Sequence, residues 1–157
     1  MSNGMNPSVR QAIHRAVKNE PLAKTLGMKL VLLEAGYSLV EMTYEPSIMD
    51  NIYCRAHGGA IFALIDEAFE TASQSGGSIA VALNVNVGYI ASPESYDRLR
   101  AEAREVSRSR KIANYEIKVT DQNDRLIATC QAVAYLTGKP IPFLGNATSE
   151  YDQSHNN

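Results

Sequence analysis

The sequence has few of the residues that form disulfides and metal sites, and it has no long apolar stretch. It contains two cysteines and three histidines in 157 residues. Cys54 and Cys130 are too few for a disulfide framework, and the cysteines and histidines show no metal-ligand spacing, so no metal site is expected. No apolar run approaches the roughly 20 residues of a membrane span, and the first residues lack an export signal. We therefore expect a cytoplasmic protein that does not associate with membranes.

Charge and length narrow the class further. Fifteen Lys and Arg against 17 Asp and Glu give a formal net charge of −2, which provides no general attraction for nucleic acid. The length suits one domain with a sizeable core. Because hydrophobic periodicity ends near position 138, we predict a single domain over residues 1–138 and a flexible tail over residues 139–157.

Two segments show helical periodicity. Asn6 and Pro7 are typical of a helix start, and apolar residues follow at helical spacing as far as Val17. Residues 57–75 form the longest helical pattern, which two glycines terminate. This pattern is apolar except for a narrow stripe that consists of Glu67, Glu70, Thr71 and Gln74. Most of the second helix should therefore be buried.

The remaining segments alternate like strands. Residues 28–34 and 38–45 form a first pair, and from Ile79 onward apolar and polar residues alternate as far as Leu136, with short turns between the runs. Short turns between consecutive strands favour an antiparallel sheet. The prediction is an α+β fold, in which an antiparallel sheet of about five to six strands wraps around one mostly apolar helix, with a short N-terminal helix in addition.

Two features of the central helix are candidates for chemistry. His57-Gly58-Gly59 lies at its start, where free backbone N–H groups can hold an oxyanion and glycine lets a substrate approach. The plainer interpretation is a turn into the helix, because Gly-Gly pairs are common in turns. Asp66 lies among apolar residues, where a carboxylate is costly unless it is paired or has a task. The alternative is that it reaches solvent along the polar stripe.

The distance between these features determines how they can cooperate. Gly58 and Asp66 are eight residues apart, roughly 12 Å along a helix, so one carbonyl carbon cannot touch both. Two such helices packed antiparallel would bring Asp66 of one chain next to Gly58 of the other. Gly59, Asp66 and Ser73 share a seven-residue spacing, and the two small residues suit a close approach of helices. The sequence thus favours a homodimer with two composite sites.

The motif residues resemble a known family. Asn51, His57-Gly58-Gly59 and Asp66, in register with the later strands, are similar to the PaaI-type acyl-CoA thioesterases, hot-dog-fold enzymes of the phenylacetate-degradation class. The likeness spans roughly residues 20 to 138. It implies hydrolysis of acyl-CoA thioesters, aryl-acyl-CoA among the candidates, with no cofactor beyond the CoA of the substrate. It also implies a homodimer, which can pair into a dimer of dimers, with each site built across the dimer interface.

The resemblance also assigns roles to individual residues. It makes Asp66 the nucleophile or the general base, two roles that the sequence does not separate. It makes the Gly58 N–H of the partner subunit the donor that binds the thioester carbonyl, with Gly59 beside the substrate. Asn51 would place water or substrate, and His57 would shape the loop more than move protons.

A basic segment is the candidate for binding the phosphates of CoA. Six of the 15 Lys and Arg residues fall between Arg98 and Lys111. Runs of charge are usually solvated strand faces, which is the alternative for the first three of them. Arg108, Arg110 and Lys111 lie at a strand connection where the resembled family binds the nucleotide end of CoA. These three are therefore the candidate phosphate ligands.

The chain departs from the family pattern at a few positions. Tyr96 stands where a glycine often precedes Asp97, so this turn is expected to differ. Ala132 stands where the last strand often carries glycine. The loop at residues 53–55 is unlike the family and close to the expected acyl entrance, so substrate preference does not transfer directly from relatives.

Three alternatives compete with hydrolysis by Asp66. A Cys54 nucleophile with His57 lacks an evident third group to orient it. A hot-dog hydratase or dehydratase uses an Asp and His pair, but Asp50 and His57 lack the residues that surround that pair. A non-catalytic CoA-ester-binding or regulatory module would keep the fold without turnover. The presence of both Asp66 and Asn51 argues against such a module.

Overall fold

The computed structural model describes residues 4–145, which fold into four helices and six strands. The helices are α1 (Pro7–Asn19), α2 (Pro21–Leu26), α3 (Pro46–Met49) and α4 (Gly58–Ser73). The strands are β1 (Lys29–Glu34), β2 (Tyr37–Thr43), β3 (Ser78–Tyr89), β4 (Arg98–Arg108), β5 (Ile112–Thr120) and β6 (Leu126–Pro140). Within this part of the chain, none of the helices has the length and apolar character needed to cross a bilayer.

All six strands join one antiparallel sheet in the order β1-β2-β4-β5-β6-β3. Helix α4 follows β2 in the chain and packs against β2, β4 and β5 before the chain returns to the far edge as β3. The predicted α+β fold, with a sheet around one central helix, is confirmed. The crossover places the two ends of α4 near opposite ends of the sheet.

Helix α4 is central because most of its surface is apolar. Leu64 and Ile65 are fully buried, and burial of each such side chain contributes about 1.5–3 kcal/mol. Phe69 meets Tyr115 of β5 edge to face, with ring centroids 5.3 Å apart. The buried positions of β4, β5 and β6 are rich in alanine, and such short side chains allow a helix to lie close to a sheet. The buried alanines are Ala101, Ala103, Ala113, Ala128, Ala132 and Ala134.

Helix α1 begins as predicted and changes the environment of α4. The Asn6 side chain accepts a hydrogen bond from the Ser8 N–H at 2.9 Å, and Pro7 is the first helical residue. Helix α1 borders the polar stripe of α4 across a cavity of about 610 Å³. Glu67, Thr71 and Gln74 of the polar stripe are therefore buried, whereas Asp66 is exposed.

The predicted boundary of the C-terminal tail is too early. Lys139 and Pro140 extend β6, and the buried Ile141 donates its N–H to the carbonyl oxygen of Gly77 at 3.0 Å. This contact ties the end of the strand to the turn after α4. The remainder of the predicted tail, from position 146 onward, lies outside the described residues and stays a prediction.

Strand β3 departs from the regular alternation predicted for it. Its register against β6 shifts between Ala82 and Asn84, so the side chains do not keep one face. Val81 and Leu83 are 49% and 58% exposed. β3 is also an edge strand, whose outer side pairs with no strand in the described part of the chain. This edge leaves backbone groups and apolar side chains without a cover.

The turn at Tyr96 keeps the backbone conformation of a glycine. Tyr96 has a φ of 66°, in the left-handed region that glycine adopts without cost. A side chain there costs roughly 1–2 kcal/mol. The Tyr96 N–H donates to the carbonyl oxygen of Tyr44 at 2.9 Å, which holds the turn in place. The turn therefore holds a tyrosine in a conformation that glycine adopts without cost, and its difference from the family turn stays a prediction.

Candidate active site

The N-terminal tip of α4 presents one free backbone donor. His57 caps the helix, because its Nδ1 accepts the Gly59 N–H at 2.9 Å while its own N–H donates to the carbonyl oxygen of Met49 at 2.8 Å. The Gly58 N–H has no acceptor among residues 4–145. The partial positive charge of a helix N-terminus adds to this donor. The tip can therefore bind an oxygen atom that carries negative charge.

Tyr89, at the end of β3, holds the tip from the other side. Its hydroxyl donates to the carbonyl oxygen of Gly58 at 3.0 Å. A Cβ atom on Gly58 would lie 3.1 Å from Cζ of the Tyr89 ring, so glycine is the residue that fits without displacement. Sequence reasoning misses this contact, because the alternating pattern of the strand does not distinguish Tyr89 from its other apolar residues.

Asn51 organises the loop that leads into α4. Its side-chain oxygen accepts the N–H of Tyr53 at 2.8 Å and the N–H of Arg55 at 3.3 Å. The oxygen is therefore engaged within the loop. The amide nitrogen donates to no other described residue, which leaves it for water or a ligand.

Asp66 lies two turns further along α4, on an exposed face of the helix. Partial burial raises the pKa of its carboxyl group above the ordinary value. Cys130 of β6 is close enough to feel this charge: burial, with a smaller contribution from Asp66, raises the pKa of the Cys130 thiol to about 11. The predicted common face ends before Ser73, which is buried and donates its hydroxyl to the carbonyl oxygen of Glu70 at 3.0 Å.

The three predicted phosphate ligands converge at the opposite end of α4. Arg108, Arg110 and Lys111 line a cavity of about 400 Å³ together with Ser73. The Arg108 guanidinium is already engaged, since its Nε lies 2.8 Å from a carboxylate oxygen of Glu105. Arg110 and Lys111 form no ion pair within the described chain. These two side chains are therefore the cations available to an anionic ligand.

One chain thus holds two separate half-sites. Asn51, His57, Gly58 and Gly59 meet at one tip of α4, and the basic cavity lies at the other end, roughly 22 Å away along the helix axis. Asp66 lies between them. No single small group can contact all three within one chain.

The two competing residue pairs are poorly arranged. Nδ1 of His57 is occupied by the Gly59 N–H, which removes it as a base for Cys54. The Asp50 carboxylate accepts a hydrogen bond from the Tyr44 hydroxyl. The histidine that both pairs share therefore has no free Nδ1 to accept a proton.

Comparison with known proteins identifies the class to which this fold and site belong. The Thioesterase superfamily profile matches residues 55–128. An Archaeoglobus fulgidus protein named "Putative esterase" is 34% identical over 125 residues, which are 80% of each chain. The chain belongs to the thioesterase superfamily.

The solved structures specify the type. The E. coli PaaI protein from the phenylacetic acid degradation operon superimposes with a TM-score of 0.82 at 27% identity, over 87% of this chain and 99% of that one. The smu.793 protein of Streptococcus mutans, solved with bound acetyl CoA, gives a TM-score of 0.68 at 30% identity, over 73% and 91% of the two chains. The chain is a thioesterase of the PaaI type with the hot-dog fold, as the motif residues predicted.

Proposed function

We propose that this enzyme hydrolyses acyl-CoA thioesters to a free acid and CoA, at sites that two copies of the chain complete together. E. coli PaaI carries the name acyl-coenzyme A thioesterase, and the S. mutans relative was solved with acetyl CoA. The observation that carries the proposal is the unsatisfied Gly58 N–H at the helix tip, with the Asp66 carboxylate on an uncovered face of the same helix.

The helix tip would bind the thioester oxygen. As the carbonyl carbon becomes tetrahedral, negative charge builds on this oxygen, and the Gly58 N–H stabilises it together with the helix dipole. Tyr89 and His57 keep the donor in place before the substrate arrives, so little reorganisation is needed. The Asn51 amide would hold the attacking water or the acyl group.

Asp66 of the partner chain would act either as a general base or as a nucleophile. As a base, it takes a proton from water, hydroxide adds to the carbonyl carbon, and the C–S bond breaks as the CoA sulfur takes up the proton. As a nucleophile, it forms an acyl anhydride with release of CoA thiol, and water then hydrolyses the anhydride. A carboxyl pKa above the ordinary value makes the Asp66 carboxylate both a stronger base and a stronger nucleophile.

The free edge of β3 supports the second copy. An unpaired edge strand is a template for another strand. Val81 and Leu83 on β3 are exposed apolar side chains, and Phe62 of α4 is 36% exposed. Two copies related by a twofold axis would set their α4 helices antiparallel. The basic cavity of one chain would then lie near the Gly58 tip of the other, where the pantetheine arm of CoA can connect them.

An aryl-acyl group is the proposed substrate class. Phe62, one turn before Asp66, and Tyr89 at the tip are partly exposed aromatic side chains beside the reacting groups. Aromatic rings stack favourably on such side chains. The pairing of dimers into tetramers and the location in the cytoplasm stay predictions.

Release of free thiol from a panel of CoA esters tests the proposal. Phenylacetyl-, benzoyl- and medium-chain acyl-CoA are mixed with the enzyme, and thiol is followed by a colorimetric reagent. We expect turnover, with the aryl esters hydrolysed at the highest kcat/KM. Tight binding without thiol release would instead identify a non-catalytic binding module, and hydration of an enoyl-CoA would identify a hydratase.

A further inference from the structure

The polar stripe of α4 borders a second cavity, remote from the helix tip. The cavity has a volume of about 610 Å³ and lies between α1, α4 and the segment at Pro142 and Phe143. Its walls combine apolar side chains of α1 with carboxylates of α4. The proposed hydrolysis uses none of these residues.

Three carboxylates converge on this cavity. Glu67 and Glu70 lie one turn apart on α4, and Glu20 lies at the junction of α1 and α2. One carboxylate oxygen from each lies within 4.8 Å of the other two. None of the three forms an ion pair with a Lys, Arg or His in residues 4–145. The chain thus concentrates negative charge here without supplying a cation.

Glu67 is the member that most needs a ligand. Its side chain is only 4% exposed, it lines the cavity, and its Oε1 has no hydrogen-bond partner among the described residues. A buried carboxylate without a partner carries a large desolvation cost. A bound cation would remove it.

We propose that Glu20, Glu67 and Glu70 bind a divalent cation of the calcium type, in a site separate from the thioester site. Calcium takes 6–8 oxygen ligands at about 2.3–2.6 Å, so two ligands of one ion lie up to about 5 Å apart. The separation of the three oxygens falls within this span. Magnesium, at about 2.0–2.1 Å, limits the separation to about 4 Å and demands a stricter octahedral geometry.

The surroundings can complete the coordination shell. Gln74 lines the same cavity, and its Nε2 donates to Glu70 Oε1 at 3.2 Å, which steadies that carboxylate. The volume leaves room for the water molecules that calcium needs beyond three protein ligands. The absence of a metal site predicted from histidine and cysteine spacing does not apply to these glutamates, because their positions give no local motif.

Calorimetric titration of the full-length, chelator-treated protein with CaCl2 tests the proposal. We expect one saturable site per chain, and a rise in the unfolding temperature when CaCl2 is added. Glu20→Gln, Glu67→Gln and Glu70→Gln should each weaken binding at least about tenfold, because charge and number of carboxylate ligands set calcium affinity. Glu94→Gln, an exposed change outside the cluster, should bind like the unaltered protein.

Three results would overturn the proposal. The first is the absence of saturable binding, and the second is binding that the three glutamine variants retain in full. The third is equal binding of an organic amine such as spermidine, which would make the cavity a general cation trap. Circular dichroism of each variant confirms that lost binding does not come from unfolding. Since thiol release is not the readout, the outcome is independent of the proposed hydrolysis.

Discussion

Two neighbouring carboxyl groups on α4 have opposite environments. Asp66 lies on an exposed face of the helix, whereas the next residue, Glu67, is 4% exposed beside a cavity. Successive residues of a helix point about 100° apart, so one peptide step moves a side chain from one face to another. Burial raises the carboxyl pKa of both. Adjacent carboxyl groups of one helix therefore lie in two different environments, one exposed and one buried.

Each of the two carboxyl groups lacks a different partner. Asp66 is exposed, and the Gly58 N–H of its own chain is too far away to act on the same carbonyl group. In the proposed dimer, a second chain supplies this donor. Glu67 has a covering helix and lacks a counter-charge, which a cation can supply. Changes on the Asp66 face should therefore alter turnover, and changes on the Glu67 face should alter ion binding and stability.

The largest effect is expected for Asp66→Asn. Loss of the attacking or proton-accepting group should lower kcat by about 10³-fold or more, because asparagine neither accepts the proton nor forms the anhydride. Glu67→Gln, one residue away, should change kcat by less than about twofold. Thiol release and thermal unfolding are measured for both. Near-normal turnover in the Asp66 variant would remove it from the mechanism.

Gly58→Pro should have the next largest effect. Proline suits the first position of a helix and lacks the N–H group, so it deletes the proposed donor. Gly58→Ala is the matched control, since it keeps the N–H while its Cβ meets Tyr89 at 3.1 Å. We expect the proline variant to lose about 10²-fold in kcat, well below the alanine variant. Equal activity of the two would show that the N–H is not used.

Reversal of the charge in the basic cavity should weaken the binding of acyl-CoA. Arg110→Glu combined with Lys111→Glu should raise KM for an acyl-CoA about tenfold, because each lost phosphate contact removes a charge-assisted hydrogen bond. The same acyl group on N-acetylcysteamine lacks the nucleotide, so its KM should not change. An equal effect on both substrates, or none on acyl-CoA, contradicts the assignment of the cavity.

Tyr89→Phe should have the smallest effect. It keeps the ring against Gly58 and removes only the hydroxyl bond to the Gly58 carbonyl oxygen. A single neutral hydrogen bond corresponds to about 1 kcal/mol, or roughly fivefold. We expect this loss in kcat with KM unchanged, measured with the best CoA ester. A rise in KM alone would place Tyr89 in binding rather than in positioning the tip.

Local patterns predicted much of the fold. The cap at Asn6, the apolar surface of α4 and the alternation of β4 to β6 each follow from neighbouring residues, and the structure agrees with them. Helix α2 was missed because it has only six residues, from Pro21 to Leu26, too few to show periodicity. The shift in β3 was missed because a bulge leaves no pattern in composition.

The candidate site, like the fold, could be predicted from the sequence only in part. His57-Gly58-Gly59 and Asp66 belong to one continuous helix and its cap, so their separation could be calculated from helix geometry. The contact between Tyr89 and Gly58 and the convergence of Glu20 with Glu67 join distant positions. Such contacts depend on how the elements pack, which one sequence does not reveal.

Subunit mixing tests the composite site most directly. Asp66→Asn and Gly58→Pro chains are inactive on their own in this scheme, and they are refolded together in equal amounts. If each site takes Asp66 from one chain and Gly58 from the other, half of the dimers are mixed, and each mixed dimer holds one intact site. Activity should then recover to about a quarter of that of the unaltered enzyme. No recovery despite proven exchange would show that each chain uses its own two groups.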